Sequence, residues 1–313
     1  MTDLTPRLIT TDGFDGYRLL DSGHGRKLES FGGVIVDRPE PQALWTPRDP
    51  KRWQQRHAVF SASGDDEEKG RWRFDRQVPE TWTVNVSGGD LARAPAAKVT
   101  CKFQGLWHLG LFPEQAPHWI TMLAHIARIK AAGEVPRVLN LFGYTGAASL
   151  LAAAAGAEVV HVDASKKSVQ WGRDNQAVSG LDKAPIRWLV DDALKFSARE
   201  VRRNRTYHVI LLDPPKFGRG PDGEIWDLFE DLPALLSDVA ALREPSKSQV
   251  ILTVYAIRAS TIAFAQLVAE RLKSQPGRIE CGELAIREDG AGARLLPTSH
   301  YTHWSSDAGE PTP

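Results

Sequence analysis

Several features are scarce in this chain of 313 residues, and each scarcity narrows what it can do. It has two cysteines, Cys101 and Cys281, far apart and in no CxxC pair. That excludes a zinc ribbon and points to a reducing, cytoplasmic setting. No apolar run approaches the length of a membrane span. The start, MTDLTPRLITTDGFDG, lacks a basic stretch followed by an apolar core, so no secretory signal is expected. Net charge is zero with histidine neutral, which gives no global pull toward nucleic acid but leaves room for a local basic face. The nine histidines are scattered, and no metal cluster is visible. His118, His161 and His208 read as core or surface residues rather than ligands. There is no internal repeat. What remains is ordinary for a globular chain, with 42% hydrophobic and 25% charged residues and enough length for a sizeable core.

Two regions differ in pattern. Residues 1–104 read as a β-rich N-terminal domain, with short strands in YRLLDSGHGRKLESF, VIVDRP, HAVFSAS, GRWRF, WTVNV and AKVTCKF separated by turn residues. The charged run Gly64 to Gly70 reads as an exposed turn. Residues 105–313 read as an open α/β sheet. The segment LWHLGLFPEQAPHWI leads into a helix over TMLAHIARIKAAG. Helices are then expected at 146–155, 166–179, 193–203, 225–242 and 260–273. Strands are expected at 137–142, 158–162, 186–190, 208–212 and 249–254, with two more in the tail before a frayed end.

The chemistry concentrates at the strand ends. Gly143 and Gly146 flank Tyr144-Thr145 after one strand and before an Ala-rich helix, where backbone can approach a ligand and free N–H groups are available. The spacing is not GxGxxG, which disfavours a nicotinamide dehydrogenase. Asp163, twenty positions after Gly143, ends the next strand and is followed by Ala164 and Ser165. An acid there can accept from ribose hydroxyls, or it can cap the next helix. Asp191 and Asp192 end the third strand, suited to an exocyclic amine or again to capping. Asp213-Pro214-Pro215-Lys216 ends the fourth, a stiff turn that can hold a planar acceptor, with Phe217 able to stack on it.

This run resembles the class I S-adenosylmethionine-dependent methyltransferases. Within them it is most similar to the large-subunit ribosomal RNA methyltransferases that modify cytosine C5 or guanine N7. The resemblance covers about Phe112 to Val254 and rests on LNLFGYTGAASL, VVHVDAS, Asn175 in WGRDNQAVSG, the VDDA run and LLDPPKFGRG. It implies a Rossmann-like sheet binding S-adenosyl-L-methionine. By that likeness Asn140, Gly143, Thr145 and Gly146 line the methionine end, and Phe142 and Tyr144 belong to the same cofactor site. Asp163, with Ala164 and Ser165, holds the ribose, Asp191 and Asp192 the adenine, and Asn175 supports the same site. Asp213, with Pro214, Pro215 and Lys216, faces the reacting methyl, and Phe217 and Tyr255 face the acceptor. LGLFPEQ resembles the stretch that covers the cofactor, making Glu114 and Gln115 further candidates.

The chain departs from that pattern in two places. Cytosine-C5 enzymes need a thiolate to add to the ring. Ala256 stands where that cysteine is expected, so cysteine-dependent chemistry is disfavoured. Lys216 also stands directly after the two prolines, where adenine-amino enzymes carry an aromatic residue. The expected activity is methyl transfer to a base of ribosomal RNA without a cysteine nucleophile. A protein or small-molecule methyltransferase and a non-catalytic binding module are the alternatives. In the N-terminal region, Arg26-Lys27, Lys51-Arg52-Trp53-Gln54-Gln55-Arg56-His57 and Arg71-Trp72-Arg73-Phe74 interleave basic and aromatic residues. That suits looped RNA, and it equally suits amphipathic strands with tryptophan inside.

Overall fold

The computed structural model describes residues 4–63, 66–87, 95–255, 258–274 and 276–306. Its larger layer is an eight-stranded sheet. In chain order the strands are β1 (Arg7–Thr11), β9 (Arg137–Leu141), β10 (Glu158–Asp163), β11 (Ile186–Val190), β12 (Val209–Leu212), β15 (Gln249–Tyr255), β16 (Arg278–Arg287) and β17 (Leu295–Ser305). Across the sheet they run β1-β16-β17-β15-β12-β9-β10-β11. β9, β10, β11, β12 and β15 are mutually parallel, and β17 runs antiparallel to both β15 and β16. All four residues of β12 are buried, as expected where helices cover both faces. Strand order reverses between β9 and β12. In open α/β sheets that is where ligands settle beyond the carboxyl ends.

Among the described residues, six α-helices complete this layer: α1 (Ala116–Ala131), α2 (Ala147–Ala154), α3 (Lys166–Val178), α4 (Ala193–Arg202), α5 (Leu228–Leu242) and α6 (Thr261–Arg271). Four begin on side-chain caps. Ser165, Asp192, Asp227 and Ser260 accept from backbone N–H groups two or three residues on.

The N-terminal part holds a five-stranded sheet, β2 (Tyr17–Gly23), β3 (Arg26–Phe31), β4 (Val34–Pro39), β5 (Ala58–Ser63) and β6 (Asp66–Phe74). A separate hairpin follows, β7 (Thr81–Ser87) with β8 (Ala96–Lys102). Buried residues of this part join the core of the larger layer. Tyr17, Phe31, Val36, Val84 and Val99 belong to the same buried cluster as Trp119, Met122, Leu150 and Val159 beneath α1 and α2. A second cluster, with Phe196, Leu232, Leu235 and Phe264, fills the other face under α4, α5 and α6.

Four local expectations change. β1 lies in the large sheet, parallel to β16, so the stretch 1–104 does not fold wholly apart from the rest. Its alternation is too short to say which sheet it joins. α1 starts at Ala116, ahead of the expected TMLAHIARIKAAG, with Pro117 in its first turn where a missing N–H costs nothing. Residues 225–227 form not helix but β14 (Ile225–Asp227), paired antiparallel with β13 (Phe217–Arg219). Finally, β6 already begins at Asp66, inside the stretch expected to turn. Gly64, Asp65 and Ala256 lie outside the described residues, as does the tail beyond Ser306.

Candidate active site

A partly open cavity lies at the carboxyl ends of β9, β12 and β15. Its wall includes eight expected residues: Gln115, Asn140, Phe142, Gly143, Tyr144, Thr145, Gly146 and Asp213. The turn after β9 is strained. Phe142 and Tyr144 both adopt left-handed backbone, with φ of 57° and 51°. For aromatic residues this conformation is uncommon and clusters at functional sites.

The two glycines of the turn are small for reasons beneath the loop as well as above it. A Cβ at Gly143 would lie 2.4 Å from the His161 ring, and one at Gly146 2.5 Å from the Trp188 ring. Gly146 also has a φ of +85°. It starts α2 without a side-chain cap, leaving the first-turn amides at Ala147 and Ala148 on the cavity wall without helical acceptors. His161 is itself anchored, its Nδ1 3.0 Å from Ser149 Oγ, which accepts from Asn140 Nδ2 at 2.9 Å.

Asp163 ends β10 beside this turn. Its Oδ2 accepts from Tyr144 N and its Oδ1 from Ser165 N, both at 2.8 Å. Burial raises its pKa, opposed by those two hydrogen bonds. The carboxylate is thereby fixed at the strand end, and each oxygen keeps a lone pair for a hydroxyl donor. Asp191 Oδ1 accepts from Asp192 N at 2.9 Å, and Oδ2 pairs with Arg199. Asp192 Oδ1 caps α4 through Lys195 N at 2.9 Å.

Asp213 follows β12 in the cavity wall, where burial first and Glu114 second push its pKa up to about 7. Gln115 donates to it. Behind it lies a charged network in the N-terminal sheet. Arg38 pairs with Glu29 at 2.7 Å, Lys27 with Glu40 at 3.1 Å, and Tyr17 donates to Glu29 at 2.9 Å. Glu114 is buried, and burial raises its pKa against the pull of Lys27. Lys27 also acts on half-buried Tyr255, whose pKa burial raises most. The N-terminal sheet thus acts on Glu114 and Tyr255.

Other expected residues sit elsewhere. Ala164, Ser165, Asp163, Asp191, Asp192 and Tyr255 are not on the wall of this cavity, nor are Pro214, Pro215, Lys216 and Phe217. Pro214 is buried, whereas Pro215, Lys216 and Phe217 are exposed. Asn175 is fully buried as a bridge: Oδ1 accepts from Thr100 N at 2.9 Å and Nδ2 donates to Thr145 O at 3.0 Å. The wall also holds Phe112, His118, Trp119, Ile251 and Thr253, which sequence reasoning did not select. Pro117 signalled the helix start that brings His118 and Trp119 there.

The basic and aromatic runs are mostly structural. Arg26 pairs with Asp37, Arg56 with Asp37 and Asp75, and Arg52 with Asp289. Lys27 is buried, and Trp72 packs on Phe60 and Phe103. Arg and Trp alternate because one side of β6 faces the core.

Residues 119–265 match the S-adenosylmethionine-dependent methyltransferase family. A solved SAM-dependent methyltransferase from Agrobacterium tumefaciens is 44% identical, with a TM-score of 0.88 over 96% of this chain and 94% of that one. The chain belongs to the S-adenosylmethionine-dependent methyltransferases. A more distant methyltransferase solved in complex with SAH shares the fold, at 16% identity and a TM-score of 0.70 over 93% of this chain and 75% of that one. Ribosomal RNA large subunit methyltransferase K/L of Shewanella frigidimarina is 32% identical over 152 residues, 48% of this chain. This methyltransferase spans about a fifth or less of the length of the curated relatives it matches.

The wall fits that cofactor. The uncapped amides of α2 and the polar edge of Asn140 suit an amino-acid group, and a fixed carboxylate ends the neighbouring strand. Among the described residues there is no group of three or more metal-binding side chains, and no helix is long and apolar enough to cross a membrane.

Proposed function

We propose that this methyltransferase modifies a base of ribosomal RNA in the cytoplasm, without a cysteine nucleophile. The observation that carries the reading is the sequence of groups after β12. Asp213 lies in the cavity wall, a two-proline turn follows, and Phe217 stands 61% exposed two residues beyond it. Lys216 Nζ lies 5.0 Å from the centre of the Phe217 ring. An exposed ring beside a cation suits an unstacked base and its phosphate. The ribosomal RNA large subunit methyltransferases among its relatives support ribosomal RNA as the acceptor.

Neither thiol supports nucleophilic addition. Cys101 is fully buried, and burial pushes its pKa up to about 12. Cys281 is also buried, in β16. A ring nitrogen with a free lone pair, such as guanine N7, needs neither thiolate nor base. The cofactor supplies an activated methyl group. The protein orients: Gln115 holds Asp213, Asp163 fixes the ribose end, and Asp213 positions the acceptor. Correct alignment of two reactants can supply on the order of 7–11 kcal/mol.

A protein or small-molecule acceptor is the second reading, favoured by zero net charge and by the ion-paired arginines of the N-terminal sheet. The deciding experiment offers tritiated cofactor with ribosomal RNA from a deletion strain, wild-type ribosomal RNA, or cell protein. Label in deletion-strain RNA alone, lost in Asp213→Ala, is the expected result. Label confined to protein or small molecules overturns the RNA reading.

A further inference from the structure

His118 and His303 form a buried pair that the reading so far leaves unused. His118 is the third residue of α1, 2% exposed, and lines the cavity. Its Nδ1 lies 2.9 Å from Nε2 of His303 on β17. β17 holds His303 opposite Ile251 of β15, another wall residue. Tyr301 packs against both rings, at 5.8 and 4.8 Å. The two remaining nitrogens, His118 Nε2 and His303 Nδ1, are buried and hydrogen-bonded to nothing among the described residues. Native proteins rarely leave such groups unmatched, so an orphan on a cavity wall marks a partner that comes from the cavity.

The wall narrows that partner's chemistry. It contains no lysine or arginine, and its one carboxylate, Asp213, sits at the end of β12. An anionic group entering the cavity therefore meets neutral donors, among them the first-turn amides of α2 at Ala147 and Ala148, Asn140 and His118. We infer that His118 donates from Nε2 to the carboxylate of the methionine moiety of the cofactor. His303 acts as a positioning residue. It donates its Nε2–H to His118 Nδ1, fixing the tautomer in which His118 carries its proton on Nε2. Burial keeps both rings neutral, His303 with a pKa lowered to about 3 and His118 also well below the ordinary value. The pair therefore recognises the carboxylate by a directed hydrogen bond, not by a fixed charge.

The test is binding to the full chain and does not depend on which acceptor is methylated. Titration calorimetry compares S-adenosylhomocysteine with 5′-methylthioadenosine, which lacks the amino-acid group. The expected result for His118→Leu is at least a tenfold loss of affinity for the first ligand and less than a twofold change for the second. His118→Gln, which can still present an N–H, should restore S-adenosylhomocysteine binding to within about threefold. His303→Leu should give an intermediate loss on that ligand alone. Equal losses on both ligands, or no loss on either, would overturn the assignment and leave the pair a packing feature. Should His118→Leu fail to fold, imidazole nitrogen NMR of the unaltered protein decides. S-adenosylhomocysteine must shift the His118 Nε2–H signal and 5′-methylthioadenosine must not. Identical responses to the two refute the proposal.

Discussion

Gln115 donates from Nε2 to Oδ2 of Asp213 at 3.1 Å, while its own Oε1 accepts from Thr253 Oγ1 at 3.3 Å. One side chain from the segment before α1 thus ties the end of β12 to β15. Glu114, from the same segment, raises the pKa of that carboxyl, second to burial.

The Asp213 carboxyl gives a pH prediction with a definite sign. Its pKa is raised to about 7, against about 3.9 in an unfolded chain. The folded protein holds a proton where the unfolded chain has lost it. Its contribution is fully present below about pH 4, falls as pH rises to about 7, and is flat above that. Asp213→Asn removes the penalty. The variant should exceed the parent in stability by on the order of 2 kcal/mol at pH 8, the partly open cavity lowering the full linkage value, with no gap near pH 4. Urea midpoints at the two pH values measure it. An equal gap at both would show that the carboxyl is not held protonated.

The glycine turn is tested by adding single methyl groups. Gly146→Ala forces alanine into left-handed backbone and brings its Cβ to 2.5 Å from Trp188. Strain and overpacking together should cost about 2–4 kcal/mol. Adding Trp188→Leu should recover the steric part only, and a double-mutant cycle in urea reads that coupling. Full additivity would mean that the ring and the glycine do not press on each other.

Much of this was legible in the chain because local signals agreed with the fold. The glycine turn after β9 and the Asp-Pro-Pro end of β12 named five of the cavity-wall residues, and the family resemblance added Gln115, Asn140 and Phe142. What was not legible depends on contacts remote in sequence. Asn175 bridges Thr100 and Thr145, and neither neighbour is visible from WGRDNQAVSG. His118 meets His303 across 185 positions. Arg26-Lys27 reads as a basic pair, yet Lys27 is buried on Glu40, a pairing set by the register of β3 on β4. Ile225–Asp227 was read as helix because apolar spacing in so short a stretch cannot separate strand from helix.

Asn175 should therefore behave as a structural bolt. Truncation to alanine leaves the Thr100 N–H and the Thr145 carbonyl without partners. Each orphaned group costs about 1–3 kcal/mol, so the loss should be about 2–4 kcal/mol. Asn175→Asp keeps the acceptor but sets a carboxylate against the Thr145 carbonyl, and should be no better. Urea unfolding measures the stability, and calorimetry with S-adenosylhomocysteine should show weaker binding, since Thr145 lies in the cavity wall. A variant of parental stability with lost binding would instead make Asn175 a direct cofactor ligand.

Phe217 is the residue at which stability and recognition should separate most cleanly. Its ring is 61% exposed, beside Lys216. Phe217→Ala removes little buried surface and should change stability by less than about 0.5 kcal/mol. If the ring stacks a base, the same change should weaken RNA binding by about 1–3 kcal/mol, roughly five- to 150-fold. Lys216→Ala should act differently. Loss of a phosphate contact lowers affinity across sequences and flattens the salt dependence, which loss of stacking does not. Fluorescence anisotropy with labelled RNA fragments at several salt concentrations distinguishes the two. Unchanged RNA affinity in both variants, with methylation intact, would move the acceptor away from β13.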